Sequence, residues 1–287
     1  MKKVLITGAS GTVGTLLVGA LVARGDGVKA GSRGARPAKG AEAVRFDYTD
    51  PSTFAPAFEG IDRLYLVMPA DNLQIEESLL PVIAFAAERG VKVVMQSVMG
   101  VENEPQNPYR KVEIALQRAP VPWVILRPNW FADNFHGAWA QAVLAGDIAL
   151  PAGDGASSFI DARDIAACAA AALPSARFVN QAFTLARPPA LAFPEGAAVL
   201  SGAADREIAY RAAGDDAFVA AMQAAGLPQA NGRMLAGLFQ AVREGHTAAV
   251  SDGVTVLTGK PPRTLAQYAA DHAQALRGNV RQGQPVP

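Results

Sequence analysis

Cysteine is nearly absent from this sequence of 287 residues, in which Cys168 is the single example. One cysteine excludes an intrachain disulfide framework and is typical of a protein from a reducing compartment. Cys168 stands in the stretch DIAACAAAAL, where we expect a small buried side chain on a helix. We therefore expect a soluble, cytoplasmic protein.

An excess of charge and a long apolar run are also missing. Lys plus Arg and Asp plus Glu both number 26, which gives no general attraction to nucleic acid or to an anionic membrane. No stretch of about 18 apolar residues occurs, so no membrane span is predicted. We expect a small-molecule substrate as the partner, no metal site, and a monomer or homodimer.

The first residues, MKKVLITGASGTVG, begin like an export signal but do not continue as one. A signal peptide needs an unbroken apolar centre, whereas glycine, serine and threonine interrupt this stretch directly after VLI. These residue types are typical of a turn. The segment KVLIT therefore predicts a strand, and VGTLLVGALVARG predicts a helix after the turn.

Short apolar runs and helical stretches alternate over the first half of the chain. Strand patterns such as DRLYLVM, VKVVMQSV and PWVILRP are separated by helical patterns. This alternation predicts an α/β fold with a Rossmann-type parallel sheet in residues 1–150 and helices on both of its faces. Beyond it we predict a smaller mixed substrate lobe in 151–277, interwoven with the first domain, and a mobile tail in 278–287.

Gly8, Gly11 and Gly14 form a G-x-x-G-x-x-G motif between the first strand and the first helix. Glycines at such a turn let the backbone approach a pyrophosphate, and the N-terminus of the following helix offers unpaired N–H groups. A plain tight turn is the alternative. The position after the first strand of an alternating chain favours dinucleotide binding.

The end of the second predicted strand, AGSRGARPAKG, has no acidic residue. An acid at this position binds the ribose 2′-hydroxyl of NAD, whereas a 2′-phosphate favours a guanidinium group. A polar and basic cluster stands there instead, formed by Ser32, Arg33, Arg36 and Lys39. It favours NADP over NAD, although a solvated basic loop would have the same composition. Asp47 and Tyr48, after the third strand, could border the adenine, and Asp47 could equally cap the next turn.

Four segments together resemble the NmrA-like branch of the atypical short-chain dehydrogenase/reductases: VLITGASGTVG, SVMGVENEPQNPYRKVEIAL, VPWVILRPNWFADNF and FIDARDIAACA. Within that branch the chain resembles NAD(P)H quinone oxidoreductases, triphenylmethane reductase and ergot-alkaloid reductases such as festuclavine synthase. The resemblance covers most of the chain and is most specific in its first 172 residues. It implies NADPH along the carboxyl edge of the sheet and a substrate cleft between the sheet and the small lobe.

The resemblance also implies roles for individual residues. Contacts with the phosphates are expected from Gly8, Ser10, Gly11, Thr12 and Val13, and the glycine motif adds Gly14. Arg33 would take the 2′-phosphate, with Ser32 beside it. The path of the cofactor would be lined by Val67, Met68 and Pro69. The nicotinamide and the substrate would be flanked by Asn129, Trp130 and Phe131, and the substrate pocket would include Met99.

Ser97 and Tyr109 are the candidate catalytic residues, because short-chain dehydrogenases usually combine Ser, Tyr and Lys. In these enzymes Tyr-x-x-x-Lys places an ammonium one helical turn from the phenol and lowers the pKa of the phenol. Here Glu113 stands four residues after Tyr109, and Lys111 points to another helix face. We expect the carboxylate to oppose ionisation of the phenol, so that the proton relay does not work.

A site without this relay suits a planar electrophile, such as a quinone, an iminium or a conjugated dye, which needs mainly hydride. The predicted function is therefore that of an NAD(P)H-dependent oxidoreductase that prefers NADPH. The alternative is a non-enzymatic NADP(H)-binding sensor of the NmrA type that acts through a protein partner. An epimerase on a sugar nucleotide ranks last, because it needs the Tyr–Lys pair. Phe135 and Trp139 are expected in the core, and His136 in a structural role.

Overall fold

A computed structural model describes residues 3–69 and 72–278 of the chain. The predicted mobile tail lies outside the described residues from position 279 onwards. The strands are β1 Lys3–Ile6, β2 Gly27–Ser32, β3 Glu42–Arg45, β4 Ile61–Val67, β5 Lys92–Gln96, β6 Trp123–Pro128, β7 Asp147–Leu150, β8 Ala156–Ser157, β9 Gln181–Leu185, β10 Leu191–Ala192 and β11 Ala209–Ala212.

The helices surround these strands, and an α-helix follows each of β1, β3, β4 and β5, whereas a loop alone joins β2 to β3. They are α1 Thr12–Ala23, α2 Phe54–Phe58, α3 Ile75–Glu88, α4 Pro108–Arg118, α5 Ala140–Ala145, α6 Ala162–Ala172, α7 Phe193–Ala204, α8 Asp215–Ala224, α9 Gln229–Arg243, α10 Gly253–Thr258, α11 Leu265–Asp271 and α12 Ala273–Leu276. Within the described ranges, every helix is too short or too polar to span a bilayer.

Seven strands form one parallel sheet in the order β3-β2-β1-β4-β5-β6-β9. This confirms the predicted Rossmann-type α/β fold, in which ligands bind outside the carboxyl ends of the strands. The last strand, β9, comes from the span after residue 150. The sheet therefore extends into the predicted substrate lobe, and the division of the chain at residue 150 stays a prediction.

Helices cover both faces of the sheet. In β1, Val4 and Ile6 pack into the core beside α1 and α6, whereas Leu5 packs into the core beside α2, α3 and α4. Side chains alternate between the faces of a strand, so the run VLI contributes to both cores. Cys168 is buried on α6, and the N-cap of this helix is Asp161, whose carboxylate accepts the N–H of Arg163 at 2.8 Å.

The small lobe consists of the parallel pair β7–β11, the antiparallel pair β8–β10 and helices α5, α7, α8, α9, α11 and α12. An aromatic cluster forms its core, and Phe135 lies fully buried within it, as expected. The ring of Phe239 on α9 stacks on Trp130 with a centroid distance of 4.8 Å. This contact joins the small lobe to the loop after β6, at the carboxyl edge of the sheet.

Candidate functional site

The glycine turn between β1 and α1 packs the helix tightly against the strand end. Gly8 has a φ of +60°, a left-handed conformation that favours glycine. A Cβ atom on Gly14 would lie 2.1 Å from the carbonyl oxygen of Gly8, and one on Gly8 would lie 2.8 Å from Cγ1 of Val67. Larger residues do not fit at these two positions, so the motif is required by the close approach of the backbone.

The N-terminus of α1 lies at this turn and has no side-chain cap. Gly11 occupies the N-cap position, and no acidic residue stands in the first turn of the helix. The first N–H groups of a helix, here those of Thr12, Val13 and Gly14, have no intrahelical acceptor, and the helix dipole makes this end electropositive. The donors and the uncapped turn fit a pyrophosphate group.

A cleft of about 560 Å³, here called the first cleft, lies beside the glycine turn. Eight residues predicted to bind the cofactor line it: Gly8, Ser10, Gly11, Ser32, Arg33, Asp47, Tyr48 and Pro69. Six further lining residues are not among those predicted from the sequence, namely Gly31, Phe46, Thr49, Asn72, Leu73 and Gln74. The ends of β2 and β3 thus meet the glycine turn around one space.

Arg33 brings a guanidinium group to the wall of the first cleft. Arg33 lies within a turn that Ser32 closes, since Oγ of Ser32 accepts the N–H of Arg36 at 2.9 Å. Asp47 accepts the N–H and the hydroxyl of Thr49 at 3.0 and 2.8 Å. These hydrogen bonds hold the pKa of Asp47 below its ordinary value, and the carboxylate remains charged. Asp47 therefore shapes the turn after β3 while it lines the cleft.

The end of β4 is held in place between two side chains. Oγ1 of Thr7 donates to the carbonyl of Tyr65 at 3.0 Å and accepts the N–H of Val67 at 3.1 Å. The hydroxyl of Tyr48 donates to the carbonyl of Val67, and burial raises the pKa of this phenol. These bonds fix the segment that separates the first cleft from the second.

A second cleft of about 350 Å³ lies at the ends of β4, β5 and β6. Eight predicted site residues line it: Val67, Met68, Ser97, Met99, Tyr109, Asn129, Trp130 and Phe131. The residues that the sequence analysis missed are Gln96, Val98, Pro128, Asn134, Leu238, Ala241 and Thr247. Every lining residue is uncharged. The cleft is therefore suited to a neutral or weakly polar ring system.

Ser97 and Tyr109, the two candidate catalytic residues, meet in this second cleft. Ser97 is 2% exposed, and its Oγ has no hydrogen-bond partner of good geometry among the described residues. Burial raises the pKa of Tyr109 to about 12. At neutral pH Tyr109 is thus an un-ionised phenol, which can donate a hydrogen bond but releases its proton reluctantly.

Glu113, where the motif of related enzymes has lysine, is fully buried and bonded to two arginines. Its carboxylate accepts Nε and Nη2 of Arg127 at 2.8 and 2.7 Å and Nη1 of Arg110 at 2.9 Å. Burial alone would raise the pKa of Glu113, but the hydrogen bonds and charge of Arg127 outweigh it and hold this pKa low. The sequence predicts that the carboxylate of Glu113 opposes ionisation of Tyr109. In the structure, burial is the cause that raises the pKa of Tyr109.

Asn129 is buried, and its side-chain amide is engaged within the protein. Nδ2 donates to Oγ of Ser158 at 2.7 Å and to the carbonyl of Thr247 at 2.8 Å. Oδ1 accepts the N–H of Trp130 at 2.9 Å and lies 3.5 Å from Oγ of Ser157. A carboxamide has two donor hydrogens and two acceptor sites, and all four are used here. Asn129 therefore links the loop after β6 to the segment after α9.

Gln96 and Asn134 are uncharged polar residues that the sequence analysis missed. Oε1 of Gln96 accepts the hydroxyl of Tyr65 at 2.5 Å, which leaves Nε2 for a ligand. Asn134 forms no side-chain hydrogen bond with the described residues. Gln96 ends β5 directly before Ser97, so its position was a usable signal. Leu238 and Ala241 come from α9, and no local pattern connects them with the strand ends.

His136 has the structural role expected for it. Its Nδ1 is hydrogen-bonded to the hydroxyl of Tyr268, and its ring stacks on that of His272 with a centroid distance of 4.5 Å. Burial lowers the pKa of both histidines. In the described part of the chain, no group of three or more His, Cys, Asp or Glu side chains is placed to hold a metal ion.

Residues 8–176 match a family model described as NAD(P)H-binding, a span that includes the glycine turn, Ser97 and Tyr109. An uncharacterized oxidoreductase of Bacillus subtilis is 34% identical over 276 residues, which cover 95% of this chain and 96% of that protein. The NAD(P)H azoreductase of Xenophilus azovorans is 32% identical and covers 95% of this chain and 99% of its own.

A solved structure shows the same fold. The NADPH-dependent quinone oxidoreductase of Escherichia coli, in complex with NADPH, matches with a TM-score of 0.80 and 25% identity over 93% of this chain and 99% of that one. The resemblance to NAD(P)H quinone oxidoreductases, predicted from the sequence motifs, is confirmed.

Proposed function

The chain belongs to the NAD(P)H-binding, NmrA-like family of oxidoreductases, and from this premise we propose that it is an NADPH-dependent reductase of planar electrophiles. The similar proteins named as an azoreductase and a quinone oxidoreductase support this substrate class. Quinones and conjugated azo compounds are the substrates that we propose first.

The observation that carries the proposal is the raised pKa of Tyr109 together with the pairing of Glu113 to Arg127. Reduction of a simple ketone gives an alkoxide, which needs a proton from a good acid at the moment of hydride transfer. Tyr109 has a pKa of about 12 and no ammonium group one turn away, because Glu113 stands there and is bonded to Arg127. A quinone gives a stabilised phenolate after hydride transfer, and water can supply its proton. The site therefore favours acceptors that need hydride but no strong acid.

NADPH is the proposed cofactor because of the first cleft. The end of β2 presents Arg33 and lacks the acid that would bind a ribose 2′-hydroxyl. The N–H groups of Thr12, Val13 and Gly14 are proposed to bind the pyrophosphate. The remaining contacts are proposed from Gly8, Ser10, Gly11, Ser32, Asp47, Tyr48, Val67, Met68 and Pro69.

The second cleft is proposed to hold the electrophile. When bound, NADPH supplies the hydride; the protein orients the acceptor and excludes water. Trp130 and Phe131 are proposed to give aromatic walls and Met99 an apolar one, and Ser97 and Tyr109 are proposed to donate hydrogen bonds to an acceptor oxygen or nitrogen. These residues line the second cleft. One hydride from the cofactor and one proton from water convert a quinone to a hydroquinone. The role proposed for Asn129 is to position this wall, because its amide is already engaged.

Steady-state oxidation of NADPH tests the proposal. The purified protein is assayed with 1,4-benzoquinones, an azo dye and simple ketones, after NADPH and NADH binding have been measured. We expect tighter binding of NADPH and turnover of quinones at least about a hundredfold faster than of ketones. Faster reduction of ketones would overturn the proposal. Tight NADPH binding without turnover of any acceptor would favour the sensor function instead.

A further inference from the structure

Helix α9 has an uncharged face that begins in the second cleft and continues beyond it. Leu238 and Ala241 line the cleft. Met234 lies one turn before Leu238, and these two side chains are 37% and 42% exposed. Steps of three and four residues bring Ala230, Met234, Gly237, Leu238 and Ala241 to one side of the helix. These five residues are called the α9 ridge.

The other sides of α9 are used differently. Phe239 and Val242 are buried in the core of the small lobe. Arg243 lies on another side of the helix, whereas the exposed Arg233 stands three residues after Ala230 and four before Gly237, so it flanks the far end of the ridge. From Ala241 to Met234, the ridge itself carries no charged side chain. A Cβ on Gly237 would meet no atom within 4 Å, which leaves open space beside the ridge.

Hydrogen bonds fix the ridge relative to the cleft. Arg243, at the end of α9, forms two bonds of 3.0 Å with Asp215 and a further bond with the carbonyl of Pro151. The carbonyl of Thr247, a few residues later, accepts Nδ2 of Asn129 at 2.8 Å. The C-terminal end of α9 is thus attached to the loop after β6, and the ridge is a fixed wall.

The size of the second cleft limits what it can enclose. Its volume of about 350 Å³ is at the lower end of the range of ligand pockets. The reacting ring must lie there beside the nicotinamide, so a long substituent has to leave through the opening. The uncharged part of the ridge, from Ala241 to Met234, provides a path of about 10 Å at 1.5 Å per residue.

We propose that the α9 ridge is a substrate subsite that binds a hydrocarbon chain attached to the electrophile. The substrate class is then an alkyl-substituted ring, with the ring in the second cleft and the chain on Leu238 and Met234. This inference rests on the proposed reductase function. Its physical basis is the burial of apolar surface that otherwise remains in water on both the chain and the helix.

The test compares 2-methyl-, 2-butyl- and 2-hexyl-1,4-benzoquinone as acceptors with saturating NADPH. We expect KM to fall by about tenfold from methyl to hexyl, because added methylenes bury apolar surface. In Met234→Glu the ratio of the KM for the methyl compound to the KM for the hexyl compound should fall below about threefold, because a carboxylate then lies beside the hydrocarbon chain. The KM for the methyl compound itself should change by less than about twofold. Val256→Glu on α10 is the matched control, because Val256 is 38% exposed and does not line the cleft.

The outcomes separate the subsite from the proposed function. A KM that does not depend on chain length, or the same dependence in Met234→Glu as in the wild type, would overturn the subsite while leaving the reductase intact. If no quinone is reduced, the proposed function fails. Quenching of tryptophan fluorescence by the same three quinones then still shows whether the alkyl substituent binds to the ridge, since affinity should rise with its length. A change in oligomeric state in Met234→Glu with an unaltered quinone series would assign the ridge to a second copy of the chain, against the proposal.

Discussion

Glu113 on α4 and Arg127 on β6 form a bidentate ion pair, with donor–acceptor distances of 2.8 and 2.7 Å. Both side chains are almost completely withdrawn from water. The pair joins the helix that carries Tyr109 to the strand that leads to the second cleft. The residue that replaces lysine in this helix thus contributes to the framework of the site.

Loss of this pair is expected to destabilise the protein. Glu113→Gln leaves the guanidinium of Arg127 buried without its full partner, which typically costs about 3–5 kcal/mol. Urea denaturation measures the free energy of unfolding. Glu76→Gln is the matched control, because Glu76 pairs with Lys111 at 3.0 Å but is partly exposed, and such pairs contribute about 1 kcal/mol or less. Equal losses in the two variants would contradict the structural role of the buried pair.

Removal of the Tyr109 hydroxyl should have a small effect on hydride transfer to a quinone. A general acid contributes about 10²–10⁴-fold, whereas a phenol with a pKa of about 12 that only donates a hydrogen bond contributes less. We expect Tyr109→Phe to lower the single-turnover rate of NADPH oxidation by less than about tenfold. Tyr210→Phe, whose hydroxyl binds carbonyls in the small lobe, serves as the control. A fall of about a hundredfold or more would make Tyr109 the acid.

Arg33 should distinguish the two cofactors. Arg33→Ala is expected to weaken NADPH binding by about 1–3 kcal/mol, the range for a lost charge-assisted hydrogen bond, and to leave NADH binding unchanged. Titration of cofactor fluorescence measures both affinities. Arg45→Ala is the control, since Arg45 pairs with Asp50 and does not line the first cleft. If both cofactors lost affinity equally, Arg33 would have a structural role instead.

Asn129 should affect the substrate more than the cofactor. In Asn129→Ala, Trp130, Ser158 and Thr247 lose hydrogen bonds, so we expect a loss of about 1–3 kcal/mol in stability and a raised KM for quinones. The dissociation constant of NADPH should stay the same. Asn134→Ala is the control in the same cleft, with a stability change within about 0.5 kcal/mol. A parallel loss of NADPH affinity in Asn129→Ala would indicate the direct cofactor contact predicted from the sequence.

The stacked histidines should make stability depend on pH. Burial lowers the pKa of His136 and His272 below 6.5, so in the window below pH 6.5 the unfolded chain binds more protons than the folded one. Their contribution is complete above about pH 6.5 and is lost as the pH falls through the lowered values. The charged groups that face them are Asp133, Asp161, Arg163 and Asp271.

Thermal unfolding between about pH 7.5 and about pH 5.5 measures this dependence. We expect Tm to fall toward the lower pH, and His272→Gln to reduce that fall by about half, because one of two titrating rings is removed. His246→Gln is the control, as His246 is exposed. An unchanged pH profile in His272→Gln would contradict the role of the stacked pair.

The local parts of the site could be predicted from the sequence. A strand, a glycine turn and a helix are consecutive in the chain, and the first cleft therefore holds most of the residues expected around them. Ser97 directly follows strand β5, and Tyr109 lies in the first turn of helix α4. These residues are placed by backbone geometry, which short-range patterns determine.

The pairing of side chains could not be predicted in this way. The sequence predicts a cofactor contact for Asn129 because its partners, Ser158 and Thr247, are distant in sequence. Helical spacing relates Glu113 to Tyr109 on the same helix, whereas the charge of Glu113 is compensated by Arg127 on β6. Leu238 and Ala241 enter the second cleft because Phe239 and Val242 are buried in the small lobe, and that packing is a tertiary property.

The place of β9 at the edge of the sheet has a consequence for how the protein comes into being on the ribosome. Until residues 181–185 have been synthesised, β6 is an edge strand with unpaired backbone groups. Until α6 has been synthesised, the apolar side of α1 that packs against it remains exposed. The nascent first half is therefore prone to incorrect strand pairing and to aggregation until the remainder has been synthesised. The strand that completes the sheet also ends this vulnerable period.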